Sequence, residues 1–134
     1  MLQLMRIGEL AERTHTPPET IRYYERLELL KPTMREGAGH RQYGEEVVAR
    51  LNKIGFLKRL GLSLEEIGEV IDLYFSDPVG LEGKKAVLEI LQNHLKEAQS
   101  KLSALQQFVG ELEENVERIS ILVESLEERE GVRG

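Results

Sequence analysis

The residues with the clearest chemical meaning lie in the ten-residue stretch TPPETIRYYE at positions 16–25. On a helix, Ile21 and Tyr24 share one face, while Arg22 and Tyr23 lie roughly opposite. An exposed arginine can bond a phosphate or a guanine edge through two N–H groups, and a neighbouring phenol can reach a phosphate. The pattern is typical of a nucleic-acid contact, although a solvated helix face with one surface tyrosine would account for these residues equally well.

The residues before and after this helix predict a helix-turn-helix. A short helix over about 7–13 precedes a turn, after which Thr16 is expected as the N-cap, Pro17 as the first helical residue and Glu19 as the second half of a capping box. The second helix is expected to end near Leu29. Because the second helix of such a motif enters the major groove, this context favours the nucleic-acid interpretation.

A small two-stranded hairpin is predicted after the second helix, over residues 34–43, with its bend at Gly37 and Gly39. Such a hairpin can act as a wing that reaches the DNA backbone beside the recognition helix. Its basic side chains are Arg35, His40 and Arg41.

The net charge of -6 does not exclude a nucleic-acid partner, because the charge is unevenly distributed. Residues 1–62 hold 11 Lys and Arg against 8 Asp and Glu, whereas residues 63–134 hold 7 against 16. Salt screens exposed charges beyond roughly 8–10 Å. A local basic surface in the first half can therefore bind phosphate despite the acidic second half.

Several classes of function are excluded or disfavoured by the composition. The absence of cysteine excludes disulfides, thiolate metal sites and a cysteine nucleophile. His15, His40 and His94 lie in separate segments, so we predict no metal site, no cofactor and no enzymatic activity. No stretch has the features of a signal peptide or a membrane span, and we expect a cytoplasmic protein.

Two more helices are expected before the sequence pattern changes. Apolar residues at helical spacing predict a helix over 45–60 that Gly61 ends, and a capping box beginning at Ser63 predicts another helix after it. The DNA-binding head is therefore predicted at residues 1–75, with a linker at 76–83.

An unbroken heptad repeat predicts a long dimerisation helix over residues 84–128, followed by a flexible tail at 129–134. The helix would be roughly 68 Å long at ~1.5 Å per residue, so it requires a partner helix to cover its apolar stripe. The alternative is a helix that folds back on itself at Gly110. The residues expected in the dimer interface are Leu88, Leu91, Leu95, Leu102, Leu105, Val109, Leu112, Val116 and Ile119.

The motifs MRIGELAERT, TPPETIRYYERLELLKP and GHRQYGEEVVARLNKIGFLKRLGLSLEEI, with the long heptad helix, resemble the MerR family of bacterial transcription regulators over essentially the whole chain. The resemblance implies a mainly α fold, with a winged helix-turn-helix head and an antiparallel coiled coil that joins two chains. It also implies a homodimer that distorts promoter DNA so that RNA polymerase can engage it. The DNA-contacting positions implied by the resemblance are Thr20, Arg22, Tyr23, Arg35, Arg41, Tyr43 and Lys58.

Three residues depart from the family pattern. His15 and Glu28 stand where glycine is usual, and His40 stands where tyrosine is usual. We expect His15 to adopt a left-handed turn conformation. The cysteines of the metal-sensing and redox-sensing branches are absent, so the identity of any effector stays open. The alternative function is a coiled-coil interaction protein whose head binds protein rather than DNA.

Overall fold

The computed structural model describes residues 3–37 and 40–133, which form five helices and one hairpin. The helices are α1 (Ile7–Thr14), α2 (Pro18–Arg26), α3 (Glu45–Arg59), α4 (Leu64–Tyr74) and α5 (Leu81–Arg133). The strands β1 (Met34–Glu36) and β2 (His40–Gln42) pair antiparallel, with Arg35 opposite Arg41. The predicted mainly α class with a hairpin wing is confirmed. Gly37 begins the bend at φ 55°, whereas Gly39 lies outside the described residues.

Helix α2 begins differently from the prediction. Its N-cap is Pro17, with ψ 145°, and no side chain caps its first turn. The hydroxyl of Thr16 instead donates to the carbonyl of Thr14 at 3.1 Å, so the prediction of Thr16 as the cap was wrong. Proline has a φ close to the helical value, and at the first helical position it lacks an N–H that would have no partner within the helix. Two consecutive prolines, Pro17 and Pro18, therefore start the helix without a capping side chain.

Two non-glycine residues have a left-handed backbone at the ends of helices. His15 has φ 53° after α1, which confirms the prediction, and Glu28 has φ 61° after α2. The conformation at Glu28 lets the N–H of Leu29 bond the carbonyl of Tyr24 at 2.9 Å, which ends α2 at Arg26 rather than near Leu29. Such conformations cost non-glycine residues about 1–2 kcal/mol. The surrounding packing of the head offsets this cost.

The core of the head is built from every helix and from the residue that follows β2. Its fully buried side chains are Leu10, Ile21, Tyr43, Ile54, Leu57, Ile67 and Ile71. Helix α5 joins this core through its first turns, where Val87 is buried and Leu91 is half-buried. Leu91, which the heptad repeat assigned to the dimer interface, thus packs partly against its own head.

The corner between α4 and α5 is more ordered than the predicted linker. The capping box at the start of α4 is confirmed, because Ser63 accepts from the Glu66 N–H at 3.1 Å and donates its own N–H to Glu66 at 2.9 Å. Asp77 then accepts the N–H groups of Leu81 and Glu82 at 3.0 and 3.3 Å. These bonds to the first turn of α5 hold the pKa of Asp77 below its usual value.

Helix α5 continues through Gly110 without interruption for 53 residues, so the fold-back alternative is wrong. It starts three residues before the predicted position, and residues 129–133 are helical where a flexible tail was predicted; Gly134 lies outside the described residues. By contacts, the chain divides into two compact units, residues 1–91 and 92–134. Within 92–131, every residue except His94 is exposed. No helix in the described part of the chain is both long and apolar enough to cross a membrane.

Alanine substitutions at two glycines of α5, one inside the α4–α5 corner and one outside it, test the packing of this corner. A Cβ added at Gly83 would lie 2.6 Å from the ring of Tyr74 and 2.9 Å from its Cα, whereas a Cβ at Gly110 would meet nothing within 4 Å. We expect Gly83→Ala to lower the free energy of unfolding by about 1–3 kcal/mol through overpacking. Gly110→Ala should raise it by up to ~1 kcal/mol, because alanine favours the helix. Urea unfolding at one protein concentration measures both, and equal effects would contradict the packing of this corner.

Candidate nucleic-acid interface

Helix α2 presents the predicted face to solvent. Ile21 is fully buried and Tyr24 is 5% exposed, which fixes the rotation of the helix against the core. Arg22 and Tyr23 lie on the exposed side, and Thr20 is half-buried at its edge. The division of faces that the sequence predicted is confirmed, and it leaves a guanidinium and a phenol free to meet a ligand together.

Cation–π contacts extend this face onto α3. The guanidinium carbon of Arg26 lies 5.7 Å from the centre of the Tyr23 ring, and Lys58 of α3 places its Nζ 6.0 Å from the centre of the Tyr24 ring. The rings of Tyr23 and Tyr24 are 6.3 Å apart and tilted by 40°. Lys58 therefore stands beside α2, as expected for a residue that adds positive charge to the same surface.

A buried carboxylate links the wing to α2. Glu25 has a side chain only 8% exposed, and its Oε2 forms an ion pair with Nη1 of Arg41 at 2.9 Å. Its Oε1 accepts a hydrogen bond from the Tyr43 hydroxyl at 2.6 Å. Arg35, opposite Arg41 in the hairpin, is exposed. The two wing arginines thus differ: Arg41 neutralises Glu25, and Arg35 is available to a partner.

Tyr43 is not exposed, which differs from the sequence-based expectation of a residue in direct contact with DNA. The residue is fully buried, and its backbone exchanges two hydrogen bonds of 2.8 Å with Met5. Burial, and then the hydrogen bond to Glu25, raise the pKa of Tyr43 above its ordinary value, so the hydroxyl stays protonated and donates. The burial was not predicted because a tyrosine beside basic residues looks like a DNA contact in the sequence.

Glu25 is a functional residue that the sequence analysis missed. It lies four residues after Ile21, which is one helical turn along the buried side of α2. A carboxylate at such a position must find an internal partner, because an unpaired buried charge is costly. Its place on the apolar side of an otherwise regular amphipathic helix is the signal that could have identified it.

A basic cleft of about 220 Å³ lies where α2, the wing and the segment before α1 meet. It brings Arg22 together with His40 and Arg41, and it adds Arg6, which the sequence analysis did not single out. Nη1 of Arg6 lies 2.8 Å from Nδ1 of His40. Arginine can only donate, so Nδ1 of His40 accepts and the imidazole is neutral. The full lining is Arg6, Ile7, Arg22, His40, Arg41 and Tyr43.

A helix-turn-helix with a basic wing defines a DNA-binding protein, and comparison with known proteins identifies the family. Residues 5–73 match the family described as "MerR HTH family regulatory protein", and residues 48–114 match "MerR, DNA binding". The chain belongs to the MerR family and is a DNA-binding transcription regulator. This membership favours DNA over the alternative of a head that binds protein.

Individual relatives agree with this assignment. An HTH-type transcriptional regulator of Pseudomonas aeruginosa is 34% identical over 116 residues, covering 84% of this chain and 83% of that protein. ZntR of Escherichia coli is 35% identical over 103 residues, covering 77% and 72%. The crystal structure of the transcription regulator PbrR691 from Ralstonia metallidurans, in complex with lead(II), is similar with a TM-score of 0.67 and 27% identity, covering 81% and 84%. These relatives are regulators rather than enzymes.

The link through Glu25 predicts unequal effects for two tyrosines. Tyr43→Phe leaves the Glu25 carboxylate without its hydroxyl donor, and we expect it to lower the free energy of unfolding by about 1.5–3 kcal/mol. Tyr23→Phe removes the same atom from an exposed ring and should change stability by less than about 0.5 kcal/mol. Chemical denaturation followed by circular dichroism measures both. A Tyr43→Phe protein as stable as Tyr23→Phe would show that the buried bond is not important.

Proposed function

We propose that this regulator acts as a homodimer that reads two half-sites of a promoter, with α2 of each head in a major groove. The observation that carries the proposal is the exposed pair of Arg22 and Tyr23 on a helix rotationally fixed by its buried face. Two N–H groups of the Arg22 guanidinium can donate to a guanine edge or to a phosphate, and the Tyr23 hydroxyl can reach the neighbouring DNA backbone. Thr20 lies at the edge of the same face.

The wing and α3 supply contacts to the DNA backbone on either side of α2. Arg35 is exposed on the hairpin, and Lys58 is exposed on α3 beside the Tyr24 ring. Neither residue forms an ion pair with a described carboxylate. Their charges are therefore available to phosphates, which fix the register of the protein on the duplex without reading its sequence.

The apolar stripe of α5 supports the homodimer. Leu95, Leu102 and Leu105 are each 55–58% exposed, and similar exposure continues along the heptad repeat to Ile119. Burying one such side chain contributes about 1.5–3 kcal/mol. A stripe of this length has no cover within its own unit, and a second copy of the same helix provides matching positions. The family resemblance implies that the two helices run antiparallel.

A dimer of this kind is suited to regulation through the shape of the promoter DNA. Two heads joined by long helices contact half-sites at a set separation, and a duplex that does not match this separation must bend or untwist to bind both. We infer that the distortion alters how RNA polymerase engages the promoter. A cytoplasmic location follows from this function.

Selection of bound duplexes from a random pool tests sequence-specific binding and the symmetry of the site together. With the recovered duplex, we expect Arg22→Ala to weaken binding by about 1–3 kcal/mol and to relax specificity at one base pair of each half-site. Arg118→Ala is the matched control, because it removes the same charge from α5 in residues 92–134. Fluorescence anisotropy measures both variants. An unchanged footprint and affinity for Arg22→Ala would contradict the role of α2.

The homodimer is tested by two double substitutions in one heptad. Replacing Leu102 and Leu105 with glutamate would bury four unpaired charges in the dimer, so we expect a monomer that no longer binds a two-half-site duplex tightly. Replacing Ser103 and Gln107 with glutamate adds the same charge at neighbouring positions outside the heptad stripe and should leave the dimer intact. Multi-angle light scattering gives the mass of each. A dimer in both cases would overturn the proposed interface.

A further inference from the structure

We propose that the cleft between Arg6, Arg22, His40 and Arg41 holds one DNA phosphate, and that His40 takes up a proton when the phosphate binds. The proposal rests on the proposed DNA-binding function and deepens it. It assigns Arg6 to the interface, and it makes the strength of binding depend on pH. The ligand is the anionic phosphodiester group, whichever bases flank it.

The charges around the cleft favour an anion. Arg6 comes from the segment before α1, Arg22 from α2, and His40 and Arg41 from β2. Only Arg41 has a described carboxylate partner, since Glu25 lies 2.9 Å from its guanidinium. Arg6 bonds a neutral imidazole, and no described side chain pairs with Arg22. Two guanidinium charges therefore converge on a space of about 220 Å³ without a counter-charge among the side chains that the structure describes.

The hydrogen bond between Arg6 and His40 defines the starting state. Nδ1 of His40 accepts from Nη1 of Arg6 at 2.8 Å, so the imidazole proton lies on Nε2. A second proton on this ring would face Arg6 and Arg22, which line the same cleft from two other elements; the charge of Arg41 is compensated by Glu25. Glu36 is the residue opposite His40 in the hairpin. In the free protein, a second proton on His40 would thus add a third positive charge to those of Arg6 and Arg22 in the cleft.

A phosphate in the cleft changes this balance of charge. Its negative charge compensates the arginines and favours a cationic imidazole beside it. Nδ1 of His40 then takes a proton from solvent and gives up its hydrogen bond to Arg6. The released N–H of Arg6 and the new N–H of His40 can both donate to phosphate oxygens, as charge-assisted hydrogen bonds. The tyrosine that the family usually has at this position does not take up a proton.

The direction of the pH dependence follows from this uptake. The complex binds more protons than the separate protein and duplex, so affinity rises as pH falls through the range in which histidine titrates, about pH 7.5 to 5.5. Each head that takes up one proton adds at most about a tenfold gain per pH unit. We expect a gain of roughly three- to tenfold per head between pH 7.5 and 6.

The test measures affinity against pH with the full-length protein. The probes are a fluorescein-labelled duplex recovered by the selection and a shuffled duplex of the same length. His40→Gln keeps a hydrogen-bonding side chain but cannot be protonated, so its affinity should lose the pH dependence on both probes. His15→Asn is the matched control, because it removes a histidine of the head outside the cleft lining, and asparagine tolerates the left-handed backbone there. Its affinity should keep the wild-type dependence.

Arg6 is tested in parallel. Arg6→Gln should weaken binding to both duplexes by a similar factor and reduce the dependence of log affinity on log salt by about one unit per head. A loss confined to the selected duplex would overturn its assignment to a phosphate.

The outcomes distinguish a failure of the proposed proton uptake from a failure of the proposed DNA-binding function. If the protein binds duplex and His40→Gln leaves the pH dependence unchanged, the proton uptake is wrong while the DNA-binding function stands. If the protein binds neither duplex at low salt, the proposed function itself fails. Should His40→Gln not fold, NMR of histidine-labelled wild type gives the answer: duplex must move the titration of the His40 ring to higher pH, and an unmoved titration overturns the proposal.

Discussion

The interface depends on one buried carboxylate. A wing with two strands of three residues each is too short to hold a fixed position by itself. Glu25 fixes the position of the wing. Its side chain is only 8% exposed and requires partners, and both partners come from the second half of the hairpin. Arg41 supplies the compensating charge and Tyr43 the hydrogen bond. The orientation of the wing relative to α2 therefore follows from the cost of leaving Glu25 unpaired.

The same link explains why Arg6 reaches the wing. Two backbone hydrogen bonds of 2.8 Å pair Met5 with Tyr43, so the segment before α1 runs beside the end of β2. Arg6 follows directly and meets the exposed ring of His40. A wing that shifted away from α2 would carry Tyr43 with it and open the cleft. The phosphate-sized space is thus a consequence of the Glu25 link rather than a separate feature.

Much of the fold could be predicted from the sequence, because its signals are local. The capping box at Ser63, the left-handed His15 and the exposed heptad repeat each depend on residues within one or two turns. The link between Glu25 and Tyr43 could not, since the two residues are 18 positions apart and nothing in the sequence around Glu25 identifies its partner. The prediction of a cap at Thr16 was wrong for a different reason: two prolines start α2 without a capping side chain.

The distribution of charge along the chain indicates which surface binds DNA. Residues 63–134 hold 16 acidic against 7 basic residues, and within 92–131 these side chains are exposed. A helix surface of this composition repels phosphates within the screening length of roughly 8–10 Å. The basic side chains around α2 and the wing are then the favourable place for a duplex. A single head offers only a few such cations, so tight binding requires two heads on one duplex, which the apolar stripe of α5 makes possible by joining two chains.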